Sequence, residues 1–146
     1  MNIKELINND FVKAMKEKDT VALNTIRLVK GAVQLEVINK KEENDELYLD
    51  VISKQIKMRN DSIIEFKKGN RDDLVASNQA EIEVLAKYMP KQLSDEELNA
   101  IIDEVFETVK PSDIKDLGLV MKNITPIVKN KCDMAVLNRL IREKLN

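Results

Sequence analysis

Few side chains in this sequence could make or break a bond. The chain of 146 residues contains no His, which removes an imidazole base, a Ser–His pair and any His-ligated metal. Cys132 is the single cysteine, so neither an internal disulfide nor a cysteine-cluster metal site can form. With only Lys131 beside it to favour the thiolate, Cys132 reads as a small filler rather than a nucleophile. The carboxylate pairs Asp72/Asp73 and Glu42/Glu43 fall in loops or first helical turns, where negative charge suits the helix dipole. Paired acid–base catalysis needs carboxylates of unequal burial, and the pattern offers no sign of that. A glutamine-hydrolysing enzyme needs an activated Cys or Ser, and a synthetase needs a phosphate loop; neither is visible. No catalytic residue, cofactor or metal is expected.

The residues that stand out are cations in unusual places. Arg59 lies three positions after Ile56 and four before Ile63, inside an apolar helical stripe where an unpaired charge is costly. It is either one half of a buried ion pair or a helix-capping contact, or an anchor for an anionic ligand, with Asp61 and Ser62 beside it. Arg27 interrupts another apolar run, and Lys30 follows one turn later. The pair shares a helix face and is a candidate phosphate site, unless the Arg27 stem merely snorkels to water.

A third group lies in the tail. Residues 92–118 carry eight acidic side chains against Lys110 and Lys115, hence −6. Residues 119–146 carry Lys122, Lys129, Lys131, Arg139, Arg142 and Lys144 against Asp133 and Glu143, hence +4, in a chain of net charge −2. Such a zone can attract phosphates; a solvated helix face is the plainer explanation.

Helices must position these groups, because the apolar spacing is helical throughout. A first helix spans about 2–17, with Ile3, Leu6, Ile7, Phe11, Ala14 and Met15 on one face. Asp19 caps a second running to about Lys41, whose apolar set is wider than one stripe and implies contact from several sides. Gly31 within it costs about 1 kcal/mol against Ala, which a close helix–helix approach would explain. A third helix carries Leu49, Ile52, Ile56, Ile63 and Phe66 and ends near Gly69. Asn70 offers a cap to a fourth, which Pro90 stops. Ser94 to Glu97 is a capping box opening a strongly amphipathic fifth helix. A sixth holds Pro126, which should kink or split it, and Asp133 caps a seventh. The expectation is an all-α protein in two domains. Residues 1–91 form a four-helix unit with long antiparallel helices, and 92–146 form a three-helix bundle.

Composition agrees. There are three Gly, three Pro and five aromatic residues, with 34% charged and 43% hydrophobic side chains, which suits a folded helical protein. No run of about 18 apolar residues appears, and no apolar stretch follows a basic start. Neither a membrane span nor a signal peptide is expected, and the compartment implied is the cytosol.

In its ordered fragments the sequence resembles the GatB/YqeY domain family. The resemblance rests on Asn9-Asp10, Ala14-Met15-Lys16, Ile26-Arg27-Leu28-Val29-Lys30 and Arg59-Asn60-Asp61-Ser62 with Phe66. It continues through Asn70-Arg71-Asp72-Asp73-Leu74, Glu81-Ile82, Tyr88-Met89-Pro90-Lys91-Gln92-Leu93-Ser94, Gly118, Val120-Met121, Pro126 and Asp133. It implies a C-terminal module similar to the tail of the B subunit of tRNA-dependent amidotransferases. There the tail recognises tRNA and other domains form the amide. One turn departs from the family pattern. Where a Gly-Arg-Ala-Asp-Gly-like segment is usual, this chain has Asn130-Lys131-Cys132-Asp133-Met134, keeping a charge but losing the bidentate Arg fork.

Three functions follow as expectations. The first is a tRNA- or RNA-associated adaptor using Lys122, Lys129, Lys131, Arg139 and Arg142. The second is an amidotransferase-like protein, or its accessory, of the carbon–nitrogen ligase class with glutamine as amide donor. The third is a module that docks a protein partner.

Overall fold

The computed structural model describes residues 2–146. Among them the backbone forms seven α-helices, one short 3-10 turn and no strand. The helices are α1 (Ile3–Glu17), α2 (Thr20–Ile38), α3 (Asp45–Lys68), α4 (Asp72–Ala86), α5 (Asp95–Val109), α6 (Leu117–Val128) and α7 (Met134–Leu145), with the 3-10 turn at Ile114–Asp116. The protein is all-helical.

Side-chain oxygens start most of these helices by accepting from amides that have no partner within the helix. Asn2 accepts from the Glu5 N–H, Asp19 from Ala22, Asn44 from Leu47 and Asp133 from Ala135. Ser94 and Glu97 complete the capping box in both directions.

The ends obey a different rule. Five residues have positive φ, namely Lys18 (57°), Lys40 (68°), Asn70 (56°), Lys110 (54°) and Asn130 (63°), and no glycine does. After α3 the Arg71 N–H donates to the Phe66 carbonyl and the Asn70 N–H to Lys67. That double closure is a Schellman end with Asn70 in the left-handed position. Asn70 therefore finishes α3 instead of capping α4, which starts at Asp72 without a side-chain cap. The same closure at Lys40 ends α2 at Ile38, short of Lys41.

Contacts divide the chain into two compact units, the first ending at Met89 and the second running from Pro90 to Asn146. In the first, Ile7 of α1, Ile26, Val29 and Val33 of α2, Leu47, Tyr48, Val51 and Ile52 of α3 and Leu85 of α4 make one core. In the second, Leu98, Ile102 and Val105 of α5 pack with Val120, Ile124 and Val128 of α6 and Leu137, Leu140 and Ile141 of α7. Burying each of these aliphatic side chains is worth about 1.5–3 kcal/mol.

Four expectations change. Leu6 and Met15 of α1 are exposed. On α2, Leu28 (56%), Leu35 (60%) and Ile38 (66%) are exposed along with Val21, so this helix buries one stripe and shows another to solvent. A Cβ built on Gly31 would meet nothing within 4 Å, so no helix of the chain approaches closely there. Finally, Pro126 does not split α6, which continues to Val128. The amide that proline lacks would have bonded to the Lys122 carbonyl, a single lost bond that the Val120, Ile124 and Val128 packing outweighs.

Left-handed Lys is strained relative to Gly by about 1–2 kcal/mol, partly offset by the extra freedom glycine gains when unfolded. Lys18→Gly and Lys40→Gly should each raise stability by about 0.5–1 kcal/mol, read as an increase in the urea midpoint at constant slope.

Candidate functional site

The tail cations are arranged around the turn between α6 and α7. The Lys129 N–H bonds to the Thr125 carbonyl, the Lys131 N–H to Val128, and Asn130 takes the left-handed conformation between them. The start of the second unit clasps this turn. The Leu93 N–H donates to the Lys131 carbonyl at 2.7 Å, and the Gln92 side-chain amide donates to the carbonyls of Pro90 and Asn130. Backbone bonds thus hold the segment bearing Lys129 and Lys131, while both side chains are exposed. Lys122 is exposed on α6, and Arg139 and Arg142 on α7. Arg139 pairs with Glu143 at 3.8 Å, and the Arg142 Nε donates to the Asn138 side-chain oxygen at 2.6 Å. Lys144, the sixth cation, is tied to Asp103 of α5 at 2.9 Å. Among the described residues, Lys122 and Lys131 have no charged partner. The exposed apolar residues Ile127 and Met134 flank the turn in sequence.

Cys132 sits inside the same turn but its Sγ faces the Val128 carbonyl at 3.9 Å. Burial pushes its pKa up, and the Asp133 charge adds to this. A thiol held protonated is a poor nucleophile.

Arg59 is 11% exposed, and its Nε donates to the Glu81 carboxylate at 3.0 Å while an Nη donates to the Gln55 carbonyl. The first bond joins α3 to α4, and the second holds the guanidinium against its own helix. Asp61 turns instead to Lys57 on the open face of α3.

Arg27 and Lys30 converge on one aromatic ring. The Arg27 guanidinium carbon lies 5.7 Å and the Lys30 Nζ 4.5 Å from the centre of Phe11. Such contacts are worth about 0.5–1 kcal/mol at exposed sites.

A second polar cluster had no counterpart in the sequence reading. The Tyr88 hydroxyl donates to the Asp10 carboxylate, and Lys87 pairs with the same carboxylate at 3.1 Å. Burial acts to raise the Asp10 pKa, but the hydrogen bonds from Tyr88 and Lys87 and the charges of Lys87 and Lys13 outweigh it and hold the carboxyl below its ordinary value. Burial first, then the bond to Asp10 and its charge, push the Tyr88 hydroxyl far up. Tyr48 behaves similarly, with burial and the bond to Glu43 raising it to about 12. No periodicity could reveal a contact between residues 78 positions apart.

A surface cleft of about 260 Å³ is lined by Asn2, Lys4, Glu43, Asn44, Asp45 and Tyr48. Its groups serve one another. Asn2 and Asn44 cap α1 and α3, Asp45 accepts from the Ile3 N–H, and Glu43 takes Lys4 and Tyr48. Among the described residues no acidic, cysteine or histidine cluster could hold a metal ion, and no helix is long and apolar enough to cross a membrane.

The family model described as Yqey-like protein matches residues 4–145. The chain belongs to the YqeY-like family. Its curated relatives include proteins named "Altered inheritance of mitochondria protein 41, mitochondrial". The one from Pyrenophora tritici-repentis is 31% identical over 142 residues, 92% of this chain and 76% of that protein. The one from Lachancea thermotolerans is 36% identical over 110 residues, covering 73% and 59%. One from Saccharomyces cerevisiae is 40% identical over 96 residues, covering 64% and 52%. The chain thus spans just over half the length of the two yeast relatives.

These names correct the cytosolic expectation, since the matched YqeY-like relatives are mitochondrial by name. Hydropathy reports whether a segment can span a bilayer and carries no information on which compartment a chain occupies.

Two outcomes check this geometry. Arg59→Ala leaves Glu81 facing a largely dry contact and should cost about 2 kcal/mol, less than for a fully buried pair because Glu81 keeps some solvent. Replacing both partners, as Arg59→Met with Glu81→Leu, should recover most of that loss in urea unfolding. The two tyrosines should resist ionisation together. An unfolded tyrosine titrates near about 10, so above that pH the folded chain holds more protons than the unfolded one and stability falls as pH rises. At about pH 11 the native protein should show little tyrosinate absorbance, and most tyrosinate should appear as the helical circular dichroism signal is lost.

Proposed function

We propose that this YqeY-like chain is an RNA-associated adaptor, with tRNA as the leading class, whose C-terminal unit contacts the phosphate backbone. The observation that carries this reading is the clasped turn after α6. It presents Lys129 and Lys131 on a fixed backbone, within a tail of net charge +4 that also bears Lys122, Arg139 and Arg142. A cation on a preset backbone loses less entropy when it meets a phosphate than one on a free loop. On this reading α1–α4 form a four-helix unit with α2 and α3 antiparallel. The three-helix bundle of α5–α7 then acts as the RNA-recognising module, as its resemblance to the amidotransferase B-subunit tail suggests. Lys in place of the family Arg gives a point-charge contact without bidentate geometry, so backbone binding with little base readout is the expected mode.

The amidotransferase-like alternative would require a nucleophile to release ammonia from glutamine. The protonated, carbonyl-facing Cys132 gives it no support. The protein-docking alternative draws on the exposed apolar stripe of α2, and an apolar partner would be its natural occupant. The curated relatives are named for inheritance of mitochondria, so a mitochondrial RNA is the first class to examine.

Binding of tRNA, measured by fluorescence anisotropy across a salt series, should weaken linearly in log–log form. The double substitution Lys129→Glu with Lys131→Glu should reduce the slope by about 2 and lower affinity across sequences while the helical circular dichroism is retained. Affinity insensitive to salt, or binding absent at low salt, would overturn the reading.

A further inference from the structure

The first unit contains two neighbouring cations gathered on one aromatic ring. Lys4, Lys41, Lys57, Arg59, Lys68, Arg71 and Lys87 each pair with a carboxylate. Arg27 and Lys30, like Lys16, Lys54 and several other lysines of this unit, show no carboxylate bridge among the described residues. Among the described residues their shared partner is the Phe11 ring. Like charges three positions apart on a helix repel, and no acidic residue stands within a turn of either on α2. The ring holds both cations in place, so they are ordered without being neutralised.

Gly31 adds an independent observation. It lies four residues after Arg27 and directly after Lys30, inside α2, where glycine weakens a helix. Apart from its own chain neighbours and helix backbone, no atom of the described residues lies within 4 Å of a Cβ built there, so packing against another helix does not account for it. Gly31 also lies three residues after Leu28 and four before Leu35, both exposed. Positions three and four apart share a helix face. The glycine therefore borders a row of cations on one side and a row of bare aliphatic side chains on the other, leaving open backbone between them. Glycine is the residue that lets a ligand approach backbone closely.

We propose that α2 carries a small-ligand site in which Arg27 and Lys30 hold a phosphate group while the apolar or planar body of the ligand lies over Gly31 between Leu28 and Leu35. A nucleoside phosphate has this chemistry. The site uses none of the tail residues and does not depend on the RNA reading.

The test is a titration of the full chain with adenosine diphosphate at low salt, followed by amide NMR. The three glycines make the Gly31 resonance straightforward to assign. Saturable shifts at Gly31, with smaller ones at Leu28 and Lys30, are expected. Arg27→Gln with Lys30→Gln should weaken binding at least tenfold while the chain keeps its helical circular dichroism and a cooperative melt. Gly31→Leu, whose Cβ would stand in open space and which favours the helix, should raise the melting temperature and abolish binding. Inorganic pyrophosphate should bind more weakly than the diphosphate; equal binding would overturn the role given to Leu28 and Leu35. Shifts confined to the Lys129–Lys131 turn, no saturable shift, or a single-stranded RNA oligomer that moves Gly31 where the nucleotide does not, would each overturn the assignment to a small ligand.

Discussion

A chain that is almost entirely helix has many ends, and each end leaves backbone donors or acceptors without partners. That constraint runs through the whole structure. Asn2, Asp19, Asn44, Ser94 and Asp133 supply oxygens to the helix starts, while Lys18, Lys40, Asn70, Lys110 and Asn130 enter the left-handed region to close the ends. Both devices fix where the chain turns. The turn at Asn130 aims α7 so that Leu137, Leu140 and Ile141 reach the core, and it also sets Lys129 and Lys131 at the surface. The closure that satisfies the backbone is the one that displays the charge.

Cations of similar appearance in sequence take three different positions. Arg59 is absorbed by Glu81 and the Gln55 carbonyl, joining α3 to α4. Its cost of desolvation is met by a carboxylate and a backbone acceptor together. Arg27 and Lys30 are ordered by an aromatic ring, which orients a cation without cancelling its charge. Lys122 and Lys131 project into solvent. The first arrangement serves the fold; the other two leave positive charge available to an anion. Tyr88 and Tyr48 use the complementary device, donating hydrogen bonds to Asp10 and Glu43 that favour the charged carboxylates while the hydroxyls keep their protons.

Helix type, helix number and most starts were legible from the sequence, because a 3.6-residue apolar period and a capping oxygen are local signals. The all-helical class and the Asp19, Ser94 and Asp133 caps follow from such signals, whereas the YqeY-like membership rests on the ordered sequence fragments and the family match. Asn70 shows where local reading fails, since Asn serves either end of a helix and only the bonds from Asn70 and Arg71 back to Lys67 and Phe66 decide which. The compartment was misjudged because hydropathy carries no address.

What the sequence determined by itself was periodicity, capping, the charge of the tail and the absence of imidazole. The tertiary structure alone decided which of two apolar stripes on α2 is buried and that no helix approaches Gly31. It also decided that Arg59 meets Glu81, that Phe11 gathers Arg27 and Lys30, and that Asp10 finds Tyr88. The physical reason is range. A helix and its caps are settled by residues within one turn, whereas a partner's identity depends on how helices distant in sequence are packed, and apolar burial carries no direction from which to read that arrangement.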